Sequence, residues 1–94
     1  AEESLVEIES LLKKGANFPG LWALRATLKA ESGDYKSGLR DIERAIKLAP
    51  EAGLYFLDAA RIAELAGQSE QAESYRETGN RLLGKFGPLA ESQL

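Results

Sequence analysis

The chain contains no Cys, no His and no Met, and a single Trp. Without Cys there is no disulfide framework, zinc ribbon, iron–sulfur ligand set or thiol nucleophile. Without His the usual general base and the commonest transition-metal ligand are both missing. The lack of Met implies that Ala1 is not a translational start, so we expect a processed chain or a segment of a longer one. Charge of one sign is lacking too: 12 Lys+Arg face 15 Asp+Glu, for a net charge of −3. Nucleic-acid binding draws most of its affinity from phosphate neutralisation, which this balance argues against. No apolar run approaches the ~20 residues that span a bilayer, so no membrane insertion is expected. A location in the cytoplasm or, for a processed chain, the periplasm or outside the cell agrees equally well with the absent cysteines.

What is present is helical punctuation. The 94 residues are 44% hydrophobic and 29% charged, the size and composition of one small domain. Gly15, Gly33, Gly67 and Gly84 each stand where a helix would close in a left-handed C-terminal cap. Pro19 suits the first turn of a helix, and Pro50 ends the preceding one. Between these marks lie five segments with helical periodicity and no two-residue alternation, which predicts an all-α fold without strands. Leu5, Ile8, Leu11 and Leu12 share a face of the first segment; Leu39, Ile42, Ala45, Ile46 and Ala49 do so in the third. The fourth, with Phe56, Ala59, Ala60, Ile62 and Ala63, is apolar round much of its circumference, which predicts a central position.

The segments repeat. Trp22 and Phe56, Ala26 and Ala60, Gly33 and Gly67, Gly38 and Ala72, Ala45 and Gly79, and Leu48 and Leu82 are each 34 residues apart. Identity is sparse but size is kept, tiny with tiny and aromatic with aromatic, as stacked helix pairs require. A further shift aligns residues 85–89 with 17–21, and residues 1–16 with the second helix of a unit.

Trp22, Ala26, the Gly33-Asp34-Tyr35 turn, Gly38-Leu39, Ala45-Ile46, Leu48 and Pro50 together resemble a tetratricopeptide repeat over residues 19–52. Residues 53–86 resemble a degenerate second copy, departing from the pattern at Arg76 and Asn80, where the family prefers apolar residues. Residues 1–16 would be the second helix of a partial repeat, and 87–94 a tail or the start of a further helix. The resemblance implies antiparallel helix–turn–helix pairs stacked as a short right-handed solenoid of five helices. It also implies a concave groove lined by Ala23, Leu24, Thr27, Ala30 and Glu31 from one helix, and by Leu57, Asp58, Arg61, Glu64 and Leu65 from the next. Family members that seize a C-terminal carboxylate use a Lys, Asn and Arg clamp at places held here by Ala23, Leu24, Thr27, Leu57 and Asp58, so that clamp is absent. Arg61 is the remaining cation, with Asp58 one turn away to neutralise it. Such a surface suits an apolar peptide or amphipathic helix, with weak salt dependence. Packing against adjoining repeats is the competing use of the same residues.

Residues 79–86 match the letters Gly-x-x-x-x-Gly-Lys of a phosphate loop, but Phe86 stands where Mg²⁺ needs Ser or Thr, and no strand precedes it. Gly79 reads instead as a close approach of two helices, and Trp22 as a packing residue. Glu2, Glu3, Glu7 and Glu9 read as a solvated face; Glu9–Lys13 and Glu43–Lys47 are expected as i,i+4 pairs. No two carboxylate, Ser, Tyr or Lys side chains stand as an acid–base or nucleophile pair, so neither catalysis nor a cofactor is expected. The expectation is a protein-binding scaffold. The alternative is a self-assembling or structural segment whose end faces, bearing Leu5, Ile8, Leu12, Leu82, Leu83, Phe86 and Leu89, pack on a second copy or on a parent chain.

Overall fold

The computed structural model describes residues 2–84, with side chains from Ser4 onward. These form five helices and no strand: α1 (Glu2–Lys13), α2 (Pro19–Glu31), α3 (Tyr35–Leu48), α4 (Gly53–Leu65) and α5 (Ser69–Gly84). Expectations that fall on Phe86, Leu89, the 85–89 alignment or the 87–94 tail lie outside the described residues.

Local sequence sets the boundaries. Pro19 opens α2, where its missing N–H costs nothing. Asp34 caps α3 by accepting from the Ser37 N–H at 3.4 Å. Gly15, Gly33 and Gly67 adopt φ of 100°, 94° and 82°, a backbone conformation strained for any residue with a Cβ. Beyond the last two, the Asp34 N–H reaches Lys29 O and the Gln68 N–H reaches Ala63 O, both at 2.9 Å, closing carbonyls that would otherwise be orphaned. Gly84 departs from expectation: it is the last residue assigned to α5, and its φ is not positive.

Each helix packs on the next, and α2 also reaches α4, so α4 sits against both members of the α2–α3 hairpin. The centre is built from small residues. Ala26, Ile42, Ala45, Ala59, Ile62 and Ala63 are completely buried, with Ala60 and Ala72 nearly so. Short side chains let the backbones close up while Ile42 and Ile62 fill the remaining space. The described chain extends 45 × 28 × 21 Å. None of its helices is long and apolar enough to cross a membrane.

α1 is the least embedded helix. Only Ile8 of its expected apolar face is buried, Leu5 and Leu12 are half-buried, and Leu11 is exposed. The reason lies on the facing helix, where Arg25 presents a guanidinium and draws Glu9 of α1 to 3.9 Å. The two i,i+4 pairs also give way to tertiary partners. Glu9 turns to Arg25 rather than Lys13, and Glu43 accepts from the Tyr75 hydroxyl at 2.7 Å rather than pairing with Lys47.

Candidate protein-interaction surface

The residues expected to line one groove divide into two groups. On α2, Ala23 and Ala30 are core residues and offer no surface; Thr27 is half-buried, and Leu24 and Glu31 are exposed. On α4, Leu57 and Asp58 are half-buried while Arg61, Glu64 and Leu65 are exposed. The α4 residues Leu57, Arg61, Glu64 and Leu65 gather round a shallow depression of about 470 Å³ whose far wall is α5, through Arg76 and Asn80. Leu24 and Thr27 do not line it. Arg76 and Asn80 were visible in the sequence only as polar residues at positions where apolar ones are usual.

Charges in this surface are arranged lightly. Arg76 reaches Glu64 at 2.7 Å, both side chains about half exposed, so the bridge spans from α5 to α4 in contact with water. Arg61 stands 3.9 Å from Asp58, one turn away. Partial burial raises the Asp58 carboxyl above its ordinary range, an effect that Arg61 partly offsets. Neither Tyr35 nor Tyr75 lines the depression.

The strongest polar cluster lies elsewhere. Asp41, 5% exposed, accepts two bonds from Arg25, at 2.8 and 3.0 Å, and faces Lys29 Nζ at 3.4 Å. Lys29 also donates to Ser37 at 2.7 Å. The fork-to-fork bond to Asp41 holds the Arg25 guanidinium above its ordinary pKa, against the opposing effect of burial. This network joins α2 to α3 inside one hairpin and is a structural clamp. Sequence reasoning missed it, because Arg25, Lys29 and Asp41 come together only when α2 and α3 pair, although Arg25 and Lys29 four residues apart on one helix were a usable signal.

Trp22 packs against the core as expected, and it also has a polar setting. Its ring lies 5.1 Å from the Arg25 guanidinium and 5.2 Å from that of Arg44, and its N–H donates to Asn17 at 2.9 Å. Tyr75 stacks at a tilt on Phe56, with centroids 6.3 Å apart. Its hydroxyl is pushed up to a pKa of about 12, by burial first and then by the bond to Glu43. Gly79 packs as its small size demands: a Cβ there would fall 3.0 Å from the Gly53 carbonyl oxygen and 2.8 Å from Leu57.

No family model, curated protein or solved structure matches this chain significantly.

Proposed function

We propose that this chain is a non-catalytic scaffold of tetratricopeptide-like helix pairs that binds a protein segment, either a peptide or an amphipathic helix. The supporting observation is that small residues paired at 34 positions apart occupy matching environments. Ala26 and Ala60 are 0% and 2% exposed, and Gly38 and Ala72, like Ala45 and Gly79, are buried where helices meet. A chain whose interior is used up by helix–helix packing works through its surfaces, and repeated helix pairs offer long ones. On α4 that surface combines apolar Leu57 and Leu65 with Arg61 and Glu64, a composition suited to helix-in-groove recognition. Titration with a labelled amphipathic helix carrying Leu or Phe on one face tests the reading. Leu57→Glu is expected to weaken binding at least tenfold and Arg61→Ala about threefold. Unchanged affinity in both would sink it.

A second reading is self-association through apolar end faces, favoured by Val6 and Leu54, each 64% exposed. Light scattering that shows a folded monomer at millimolar concentration would dispose of it.

A further inference from the structure

Arg40, Arg44 and Lys47 follow one another along α3 at i, i+4 and i+7, all three exposed. With Trp22, Asp41 and Glu43 they line one shallow depression of about 440 Å³. None of the three cations forms an ion pair among the described residues, whereas both carboxylates are engaged. Asp41 is held by Arg25 and Lys29, and with Glu9 beside Arg25 that cluster has no net charge. Glu43 accepts from the Tyr75 hydroxyl at 2.7 Å. Three cations against this one remaining carboxylate leave the lining with two positive charges in excess. We propose that the depression binds a dianionic phosphate monoester carried on a side chain of a partner protein. The site lies on α2 and α3, apart from the α4 surface, so it goes beyond the groove reading and does not depend on it.

Arg44 is the pre-formed part. Its guanidinium lies 5.2 Å from the centroid of the Trp22 ring, which is itself fixed by the N–H bond to Asn17 at 2.9 Å. Stacking leaves the in-plane N–H groups of an arginine free to fork onto an oxyanion. Arg40 and Lys47, one turn to either side on the same stripe, complete a set of three cationic donors. Helix pairing does not call for them: 34 residues on, Arg40 and Arg44 become Ser74 and Thr78 in an α5 that packs on its own partner helix. The surroundings select the ligand. The Trp22 ring packs on the core and lies under the guanidinium groups of Arg25 and Arg44, so a nucleotide base must displace one of them to stack. The Tyr75 bond sets α5 beside α3, and α5 exposes Glu70, Glu73 and Glu77. That acidic row repels an extended polyanion laid across α3, such as a nucleic-acid strand or an anionic bilayer, but spares one isolated dianion. A free ion finds little else to hold it in so open a depression. A peptide gains apolar ground at Phe18, one turn before Trp22, and at Leu48, next to Lys47, which are 65% and 38% exposed. Residues 85–94 bring Glu91 together with Lys85, so their side chains supply no net negative charge.

A labelled Ala/Leu peptide with one phosphoserine, its unphosphorylated form and its Glu form test this on the full chain. Binding is read by anisotropy and by the emission of Trp22, the chain's one tryptophan. The phosphopeptide is expected to bind about tenfold tighter than the serine form and about threefold tighter than the Glu form, and to shift the Trp22 emission. Arg44→Lys keeps the charge but loses the stacked fork, and should weaken the phosphopeptide about fivefold. Lys36→Gln removes an exposed cation one turn before Arg40 that does not line the depression, and should change affinity by less than about twofold. Equal affinity for the phosphorylated and unphosphorylated forms overturns the inference, as do equal losses in Arg44→Lys and Lys36→Gln, which would reduce the effect to overall charge. A larger loss in Leu57→Glu than in Arg44→Lys moves the ligand to the α4 surface and ends this inference while the scaffold reading stands. Inorganic phosphate that displaces the phosphopeptide at equal concentration makes this a free-ion site, and a single-stranded oligonucleotide or a phosphatidylserine vesicle that outcompetes it makes this a polyanion site. Glu91→Gln that tightens the phosphopeptide about tenfold gives the depression to the chain's own following residues. Each of these three results overturns the assignment to a partner protein.

Discussion

The two helical hairpins, α2–α3 and α4–α5, align at a shift of 34 residues and are held together by different means. Arg25, Lys29 and Asp41 form a buried ionic clamp in the first; the equivalent positions in the second are Ala59, Ala63 and Tyr75. The exchange follows from what each hairpin faces. Ala59 and Ala63 of α4 lie flat against the α2–α3 pair and have no room for long side chains, whereas Arg25 faces the loosely packed α1 and reaches Glu9. The tightest backbone approach moves as well. In the first hairpin it is at Gly38, near the turn; in the second it is at Gly53 and Gly79, at the open end. The lesson is that one scaffold tolerates an ionic or an apolar seam at the same positions, provided that each is complete.

The clamp offers the largest break in this symmetry. Asp41→Ala leaves Arg25 and Lys29 largely buried with no carboxylate between them, and should cost about 3 kcal/mol, at the low end for a broken buried pair because Glu9 is near enough to take Arg25 over. Urea denaturation measures it. The same experiment on the double variant Arg25→Ala/Asp41→Tyr, which imports two of the second hairpin's residues, should recover part of the loss.

Glycine-to-alanine exchange separates the hairpins next. At Gly38 the new methyl would sit 2.9 Å from the Ala26 carbonyl oxygen and 3.4 Å from the Ala30 nitrogen, both backbone atoms that cannot turn aside. Overpacking there should outweigh the ~1 kcal/mol that alanine contributes to a helix, for a net loss of about 1 to 2 kcal/mol. At Gly79 the nearest atom, at 2.8 Å, is the end of the Leu57 side chain, which can rotate, but the Gly53 carbonyl oxygen at 3.0 Å is fixed backbone, so Gly79→Ala should cost about 1 kcal/mol, less than Gly38→Ala with its two backbone contacts. Because Leu57 also lines the α4–α5 depression, that variant should disturb helix binding more than it disturbs stability.

Five helices, their glycine caps, Pro19 at the start of α2 and the buried small residues were legible because each is a local or periodic signal. The central place of α4 was legible too, since Ala59, Ala60, Ile62 and Ala63 leave no polar face toward its neighbours. What was not legible depends on pairing between helices. Glu9 and Glu43 have good partners four residues away on their own helices, and both turn instead to partners brought in by tertiary packing. Ala23 and Ala30, expected at a groove, are core residues because α4 and α3 close over that part of α2. Of the expected surface residues, those on α4 share one depression. Their α5 neighbours Arg76 and Asn80 could be read beforehand only as departures from an apolar pattern.

Tyr75 joins the two hairpins, so its hydroxyl reports on their contact rather than on either seam. Tyr75→Phe removes the bond to Glu43 and should cost about 1 kcal/mol at neutral pH. The phenol is held neutral in the folded chain up to a pKa of about 12, against 10.0 for a free side chain. Its stabilising effect is therefore complete below pH 10 and is lost as pH rises from there through about 12. The difference between parent and Phe variant isolates Tyr75. Urea midpoints taken at pH 9, 10 and 11 should converge as pH rises, and a constant gap would refute the assignment.

The smallest effect belongs to the second hairpin's only ion pair between its helices among the described residues. Arg76–Glu64 is as short as any bond of the Asp41 clamp, at 2.7 Å, and if distance set its worth Glu64→Ala would rival Asp41→Ala. Exposure sets it instead. With both side chains about half in water, the attraction is screened and neither charge is stranded when the other is removed, so the loss should stay below about 0.5 kcal/mol. A value near that of Asp41→Ala would mean that the α4–α5 depression is covered in solution, and that the bridge is buried beneath whatever covers it.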